Sequence, residues 1–225
     1  MVAPTKQKAL SLRAPKVLVT GFDPFGGDSL NPSWQAAQAL HGRRIAAHSV
    51  VAAQLPTVFG QSLKVLGALV REHEPVLVIC LGLAAGRGAI SIERVGININ
   101  DARIPDNAGR QPIDEAIIPG GPAAYFSKLP IKAMRAAIEA KGIPAEVSQT
   151  AGTFVCNQVF YGLMHLLATD RGLKATRGGF IHVPLLPEIG DPSIPLATLV
   201  EGLRIGIRTA LTTEVDLRQQ AGEIS

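Results

Sequence analysis

A cysteine stands where a run that reads as strand gives way to a helix, in Ser148-Gln149-Thr150-Ala151-Gly152-Thr153-Phe154-Val155-Cys156-Asn157. Val159, Leu163, Leu166 and Leu167 follow at helical spacing, and Gly152-Thr153 supply a turn and an N-cap just ahead. Cys156 therefore belongs in or near the first turn of a helix. Unpaired backbone N–H groups and the positive end of the helix dipole favour an anion there, which predicts a lowered thiol pKa and a thiolate nucleophile. The same N–H groups are suited to hold a developing oxyanion. A cysteine beside Phe154 and Val155 also fits the commoner fate of free cysteine, a small buried apolar residue.

A nucleophilic thiol needs a base, and the base needs a group to orient it. Of the five histidines, His165 is near in sequence. Nine residues along a helix is about 900° of rotation and about 13.5 Å of rise, so it points away and lies too far. His41 and His73 fall at predicted helix ends before polar loops, where solvated or dipole-capping roles are the default, and His48 sits inside a strand. His182 comes near the carboxyl end of a buried strand, Gly178-Gly179-Phe180-Ile181-His182-Val183-Pro184, where open α/β sheets place ligand and catalytic groups. A satisfied core histidine is the other reading. Glu93 interrupts a strand whose apolar residues alternate at Ile90, Ile92, Val95 and Ile97. Buried, it would need a partner such as a histidine N–H or Arg94; on an edge strand it would face solvent. Cysteine, histidine and carboxylate on three strand or loop ends would make a triad for acyl transfer.

The elements that must position these groups alternate strand and helix. Residues 16–20 read as a buried first strand opening into Gly21-Phe22-Asp23-Pro24-Phe25-Gly26-Gly27, and a helix over 33–41 follows. Pro24 removes an N–H donor and no phosphate-binding glycine pattern is present, so the loop is not a phosphate cradle. Phe22 and Phe25 either wall an apolar pocket or anchor the loop on the core. Residues 45–53 read as a second strand, 58–73 as a helix, 76–81 as a strand buried on both faces, as in a parallel sheet, and 90–97 as one strand. Cys80 lies within residues 76–81 and reads as inert core. Residues 104–109 form a turn and 110–121 a covering loop. A helix over 130–141, a strand over 145–148 and a final amphipathic helix over 195–212 complete the pattern.

Composition bounds the class. The chain has 225 residues, 47% hydrophobic and 18% charged, with 23 Gly and 16 Pro, which excludes general disorder and implies many short connections. We expect residues 1–15 to form a loosely held polar tail and 16–225 a single α/β domain. The net charge of +4 comes from scattered Lys and Arg, and aromatics are only 4%, so nucleic-acid binding is not expected. The longest apolar run, residues 76–86, is far short of the roughly 20 residues that span a bilayer, so no membrane role is expected. Two cysteines make no disulfide framework and no secretory leader is recognisable, which points to the reducing cytoplasm. Histidine and cysteine offer no zinc spacing.

Three segments in order resemble the type I pyroglutamyl peptidases, cysteine enzymes that remove an amino-terminal pyroglutamyl residue from peptides. Residues 143–157 resemble the family's cysteine signature throughout. Residues 82–98 resemble its glutamate signature, departing at Gly96, where alanine is usual. Residues 21–27, Asn31-Pro32-Ser33 and His182-Val183-Pro184 resemble further family segments. The resemblance implies a single-domain α/β/α sandwich with a mostly parallel, twisted central sheet, an architecture shared with nucleoside phosphorylases. It implies Cys156 as nucleophile, His182 as general base and acid, and Glu93 as the group orienting His182. Phe22, Phe25, Ile104, Phe154 and Val155 would line the slot for the lactam ring, with Asn31 donating to the ring carbonyl. Leu83 stands where relatives commonly have Gln: if that position acts through its backbone carbonyl on the lactam N–H the change is harmless, and if through its side chain, recognition weakens. Arg103 would assist the oxyanion or position Glu93. The implied partners are peptides with an N-terminal pyroglutamate, with no metal or cofactor and a homo-oligomer, dimer or tetramer. A phosphorolytic or non-catalytic binding protein on the same scaffold is the alternative.

Overall fold

The computed structural model describes residues 14–222. All but the last two residues of the expected tail therefore lie outside the described residues. Strand β1 (Lys16–Phe22) leads into helix α1 (Pro32–Leu40), followed by β2 (Arg44–Ile45), β3 (His48–Leu55), α2 (Gln61–His73) and β4 (Leu77–Leu83). Then come β5 (Ile90–Glu93), β6 (Val95–Ile97), β7 (Ala124–Phe126), α3 (Ile131–Glu139), β8 (Ala145–Ser148), α4 (Val155–Thr169), β9 (Arg177–Val183) and α5 (Leu196–Thr212). Seven strands share one sheet in the order β2-β3-β1-β4-β9-β5-β8. It is mostly parallel: only β2 against β3 and β5 against β9 run antiparallel.

Side-chain alternation along these strands separates two cores. Val17, Val19, Leu77, Ile79, Leu81, Ile90, Ile92, Ile181 and Val183 pack on one face with α1, α3 and α5. Leu18, Val78, Cys80 and Phe180 point to the other face, which α2 and α4 cover. With a period of two, Gly82 follows Cys80, His182 follows Phe180 and Glu93 follows Ser91, so all three emerge on the α2/α4 face. The fold is the expected α/β/α sandwich.

Two expectations need correction. Residues 45–53 are not one strand, because Ala46 and Ala47 take positive φ (45° and 65°) and turn the chain into a β2–β3 hairpin. Residues 90–97 split at Arg94: β5 joins the main sheet, while β6 pairs with β7 in a separate two-stranded sheet. The strand β7 was not foreseen, since Ala124–Phe126 is too short to show a period. Gly96 in β6 lies against the backbone of α4, where a Cβ would come within 3.0 Å of the Tyr161 nitrogen.

Candidate active site

Glu93 and His182 meet because their strands are neighbours. β9 carries His182 between β4 and β5, in register with Gly82 on one side and Ser91 on the other. Two residues further, Glu93 ends β5 opposite Ser148 of β8. Both side chains are buried, Glu93 completely. Glu93 Oε1 lies 2.7 Å from His182 Nδ1 and accepts a second hydrogen bond from Arg87 Nη1 at 2.8 Å. A carboxylate only accepts, so Nδ1 carries the imidazole proton and Nε2 is left as the basic nitrogen. Phe180 packs beside the ring at 4.9 Å between centroids and limits its rotation.

Cys156 is the second residue of α4. The expected cap at Thr153 is not formed: Phe154 is the N-cap, with no side-chain bond, and the Thr153 hydroxyl donates instead to the Asp101 carbonyl at 2.6 Å. Gly152, at φ 74°, makes the preceding turn. The next side chain, Asn157, is buried and clamps the start of α4 to β6. Its Oδ1 accepts from the Ile97 N–H at 3.0 Å and its Nδ2 donates to the Ile97 and Ile99 carbonyls at 2.9 Å each. On the sheet side, a Cβ at Gly82 would fall 2.8 Å from Cys156 Sγ and 2.8 Å from Phe180 Cζ. Glycine there is a requirement of the thiol's position.

The lowered thiol pKa expected from the helix terminus is overturned. Burial pushes the Cys156 thiol up to about 12, and the Glu93 carboxylate adds to the rise, against the opposing Arg87 charge. The residue is half-buried by surface exposure, but what it exposes faces a largely apolar cavity, so desolvation outweighs the dipole. The thiol therefore rests protonated at neutral pH. Cys80 is fully buried, with a thiol also raised to about 12 by burial, and is core as expected.

Cys156 and His182 share a cavity of about 170 Å³ with Phe22, Phe25, Asn31, Thr57, Leu83, Ala151, Phe154 and Val155. Phe154 anchors its aromatic wall, 6.2 Å from the Phe25 centroid and edge-on to Phe59 at 5.3 Å. Asn31 is the buried N-cap of α1: its Oδ1 accepts from the Ser33 N–H at 3.0 Å and its Nδ2 donates to the Asp23 carbonyl at 3.0 Å. Asp23 in turn accepts from the Thr57 N–H at 2.6 Å, which ties the Phe22–Phe25 loop to the chain after β3.

Two expected residues stand elsewhere. Ile104 is 40% exposed and is not among the residues lining the cavity. Arg103 is exposed, and the guanidinium that meets Glu93 is Arg87's. Nor does Arg94 pair with Glu93; it lies at the break between β5 and β6 and turns to Gln149 Oε1 and the Ala221 carbonyl. Sequence reasoning passed over Arg87, Thr57, Gly82 and Asn157. For Arg87 the signal was present as a lone cation in the Gly86-Arg87-Gly88 loop just ahead of the acid.

An α/β sandwich that brings a helix-start cysteine and a histidine–carboxylate pair to one small cavity has the make-up of a cysteine peptidase. Comparison with known proteins agrees. The sequence profile described as pyroglutamyl peptidase matches residues 15–213. The pyrrolidone-carboxylate peptidase of Cupriavidus taiwanensis is 55% identical over 93% of this chain and 99% of its own length, and pyrrolidone-carboxylate peptidase 1 of Ralstonia nicotianae is 57% identical over the same shares. The crystal structure of pyroglutamyl peptidase I from Bacillus amyloliquefaciens superposes with a TM-score of 0.88 at 49% identity, covering 92% of this chain and all of that one. The chain belongs to the pyroglutamyl peptidase family of cysteine peptidases.

Proposed function

We propose that the chain hydrolyses the bond after an N-terminal pyroglutamyl residue of peptides through Cys156, His182 and Glu93. The observation that carries this reading is the 2.7 Å Glu93–His182 pair at the cavity that also holds Cys156. Glu93 fixes the imidazole tautomer, and His182 Nε2 takes the thiol proton as sulfur attacks the pyroglutamyl carbonyl. A thiol held up to about 12 makes this coupled transfer necessary at neutral pH. The backbone N–H groups at the start of α4 face the developing oxyanion. His182 then protonates the departing amine, leaving a thioester, and activates the water that cleaves it.

The cavity supports the substrate choice. It is smaller than the roughly 300–1,000 Å³ of sites for drug-sized ligands, and suits a single small ring. Phe22, Phe25, Phe154, Val155 and Leu83 would enclose the lactam. Asn31 has a second N–H on Nδ2 for the ring carbonyl, and the Leu83 backbone carbonyl would take the lactam N–H. A glutaminyl terminus would bring an ammonium group into the same dry slot at a cost of several kcal/mol, so selection works by desolvation. We place the enzyme in the reducing cytoplasm as a dimer or tetramer. Among the described residues, no helix is long and apolar enough to cross a membrane.

Release of a fluorescent amine from pyroglutamyl, prolyl and glutaminyl amides tests the specificity. The pyroglutamyl amide alone should turn over. Cleavage of the prolyl amide at a comparable rate would contradict the lactam slot.

A further inference from the structure

Glu93 is completely buried, and its two oxygens are treated unequally. Oε1 takes both donors, His182 Nδ1 and Arg87 Nη1, while Oε2 has no hydrogen-bond partner. A carboxylate removed from water is costly unless a cation compensates it. Arg87, on the loop between β4 and β5, is that cation. Its other arm, Nη2, donates to the Thr150 carbonyl at 3.1 Å, in the loop that leads to Cys156. One guanidinium thus grips the acid with one nitrogen and the nucleophile's loop with the other. Among the described residues, the other titratable groups against Glu93 are His182 from β9 and the Cys156 thiol from α4, and neither compensates a negative charge in its neutral form.

We infer that Arg87 is a positioning residue of the reaction, holding the Glu93 carboxylate charged and in fixed relation to His182 and to the loop ahead of Cys156. The inference rests on the Cys156–His182–Glu93 reading above. Arg87 touches no reacting atom and acts through Glu93. A planar fork with donors on separate nitrogens can serve both acceptors at once, whereas a lysine ammonium serves one of them from a single point. Without the cation, a buried carboxylate has nothing to offset its removal from water, and its place beside the imidazole is no longer held from the other side.

The test is the pH profile of pyroglutamyl amide hydrolysis by Arg87→Met, Arg87→Lys, Glu93→Gln and the Arg87→Met/Glu93→Gln double variant, with thermal melts alongside. Arg87→Met should lower kcat by roughly ten- to a hundredfold with little change in KM, and move the acidic limb of kcat/KM to higher pH. Arg87→Lys should restore the limb but only part of kcat. In the Glu93→Gln background the loss of Arg87 should cost little more, because the group it acts through is already neutral. A wild-type kcat and acidic limb in Arg87→Met overturns the inference. So does an equal loss in both backgrounds with an unmoved limb, which marks a merely structural anchor. If Arg87→Met does not fold, Arg87→Lys decides: full kcat, or an equal loss with and without Glu93→Gln, overturns the inference, and a loss that shrinks in the Glu93→Gln background supports it. Full activity in Glu93→Gln would instead defeat the triad reading on which the inference stands, and a disabled Glu93→Gln beside a wild-type-like Arg87→Met defeats the inference alone.

Discussion

At the scale of the residue, Glu93 does two opposed things to the thiol. Its charge adds to the rise that burial gives the Cys156 pKa, and in the proposed mechanism its bond to His182 prepares the base that removes the proton. Glu93→Gln should therefore slow peptide turnover while speeding iodoacetamide alkylation of Cys156 near neutral pH; a parallel fall in both rates would contradict this division. In the wild type, alkylation should keep accelerating as pH rises past the ordinary thiol value of 9.0 toward about 12, where a thiolate-forming site would already have levelled off. Gly82→Ala should cost on the order of a hundredfold in kcat/KM, since a Cβ 2.8 Å from Sγ and from the Phe180 ring forces the thiol aside. Measured kcat/KM within a few-fold of wild type would show that the thiol rotates away freely. His182 and Glu93 were legible because each stands at or near the end of an apolar strand pattern, and Cys156 because a turn and a helical period frame it. The thiol's raised pKa was not, because it depends on what surrounds the sulfur in three dimensions rather than on its place in a helix.

At the scale of the element, α4 and β6 form one unit through the three hydrogen bonds of Asn157. The C-terminal segment forms another clamp. Asp216 Oδ1 accepts from the Lys132 and Ala133 N–H groups at 3.1 and 2.9 Å, supplying from a distance the cap that Pro130 cannot give α3. Asp216→Ala should destabilise the protein by about 1 kcal/mol, as the loss of a helix cap does, with kcat unchanged. Denaturant titration checks it, and an unchanged midpoint would show that water replaces the carboxylate. The strands β1, β4 and β9 were readable from their apolar runs, α2, α4 and α5 from their period, and α3 from Pro130 and Gly142 at its ends. The Ala46–Ala47 turn was not, because alanine carries no turn signal and its positive φ is imposed by the β2–β3 pairing. Nor was β7, whose partner β6 lies across a long loop.

At the scale of the whole molecule, two thiols are held protonated in the fold that would ionise near 9.0 in the unfolded chain. Between 9.0 and about 12 the folded state binds more protons than the unfolded one, so stability should fall as pH rises through that window. Urea midpoints on either side of the lower bound would show it, and a flat dependence would contradict the burial assigned to both sulfurs. The sheet order itself explains the site: β9 and β5 lie side by side although β6, β7, α3, β8 and α4 come between them in the chain. No local pattern in the sequence announces that adjacency. The central claim is that Cys156 carries the acyl group, and it is tested most directly by acid-quenching the wild type during turnover of a pyroglutamyl amide and locating the added mass. The account predicts a thioester on the peptide that contains Cys156, and no turnover by Cys156→Ser. Sustained turnover by Cys156→Ser, with the acyl group found elsewhere or not at all, would contradict it.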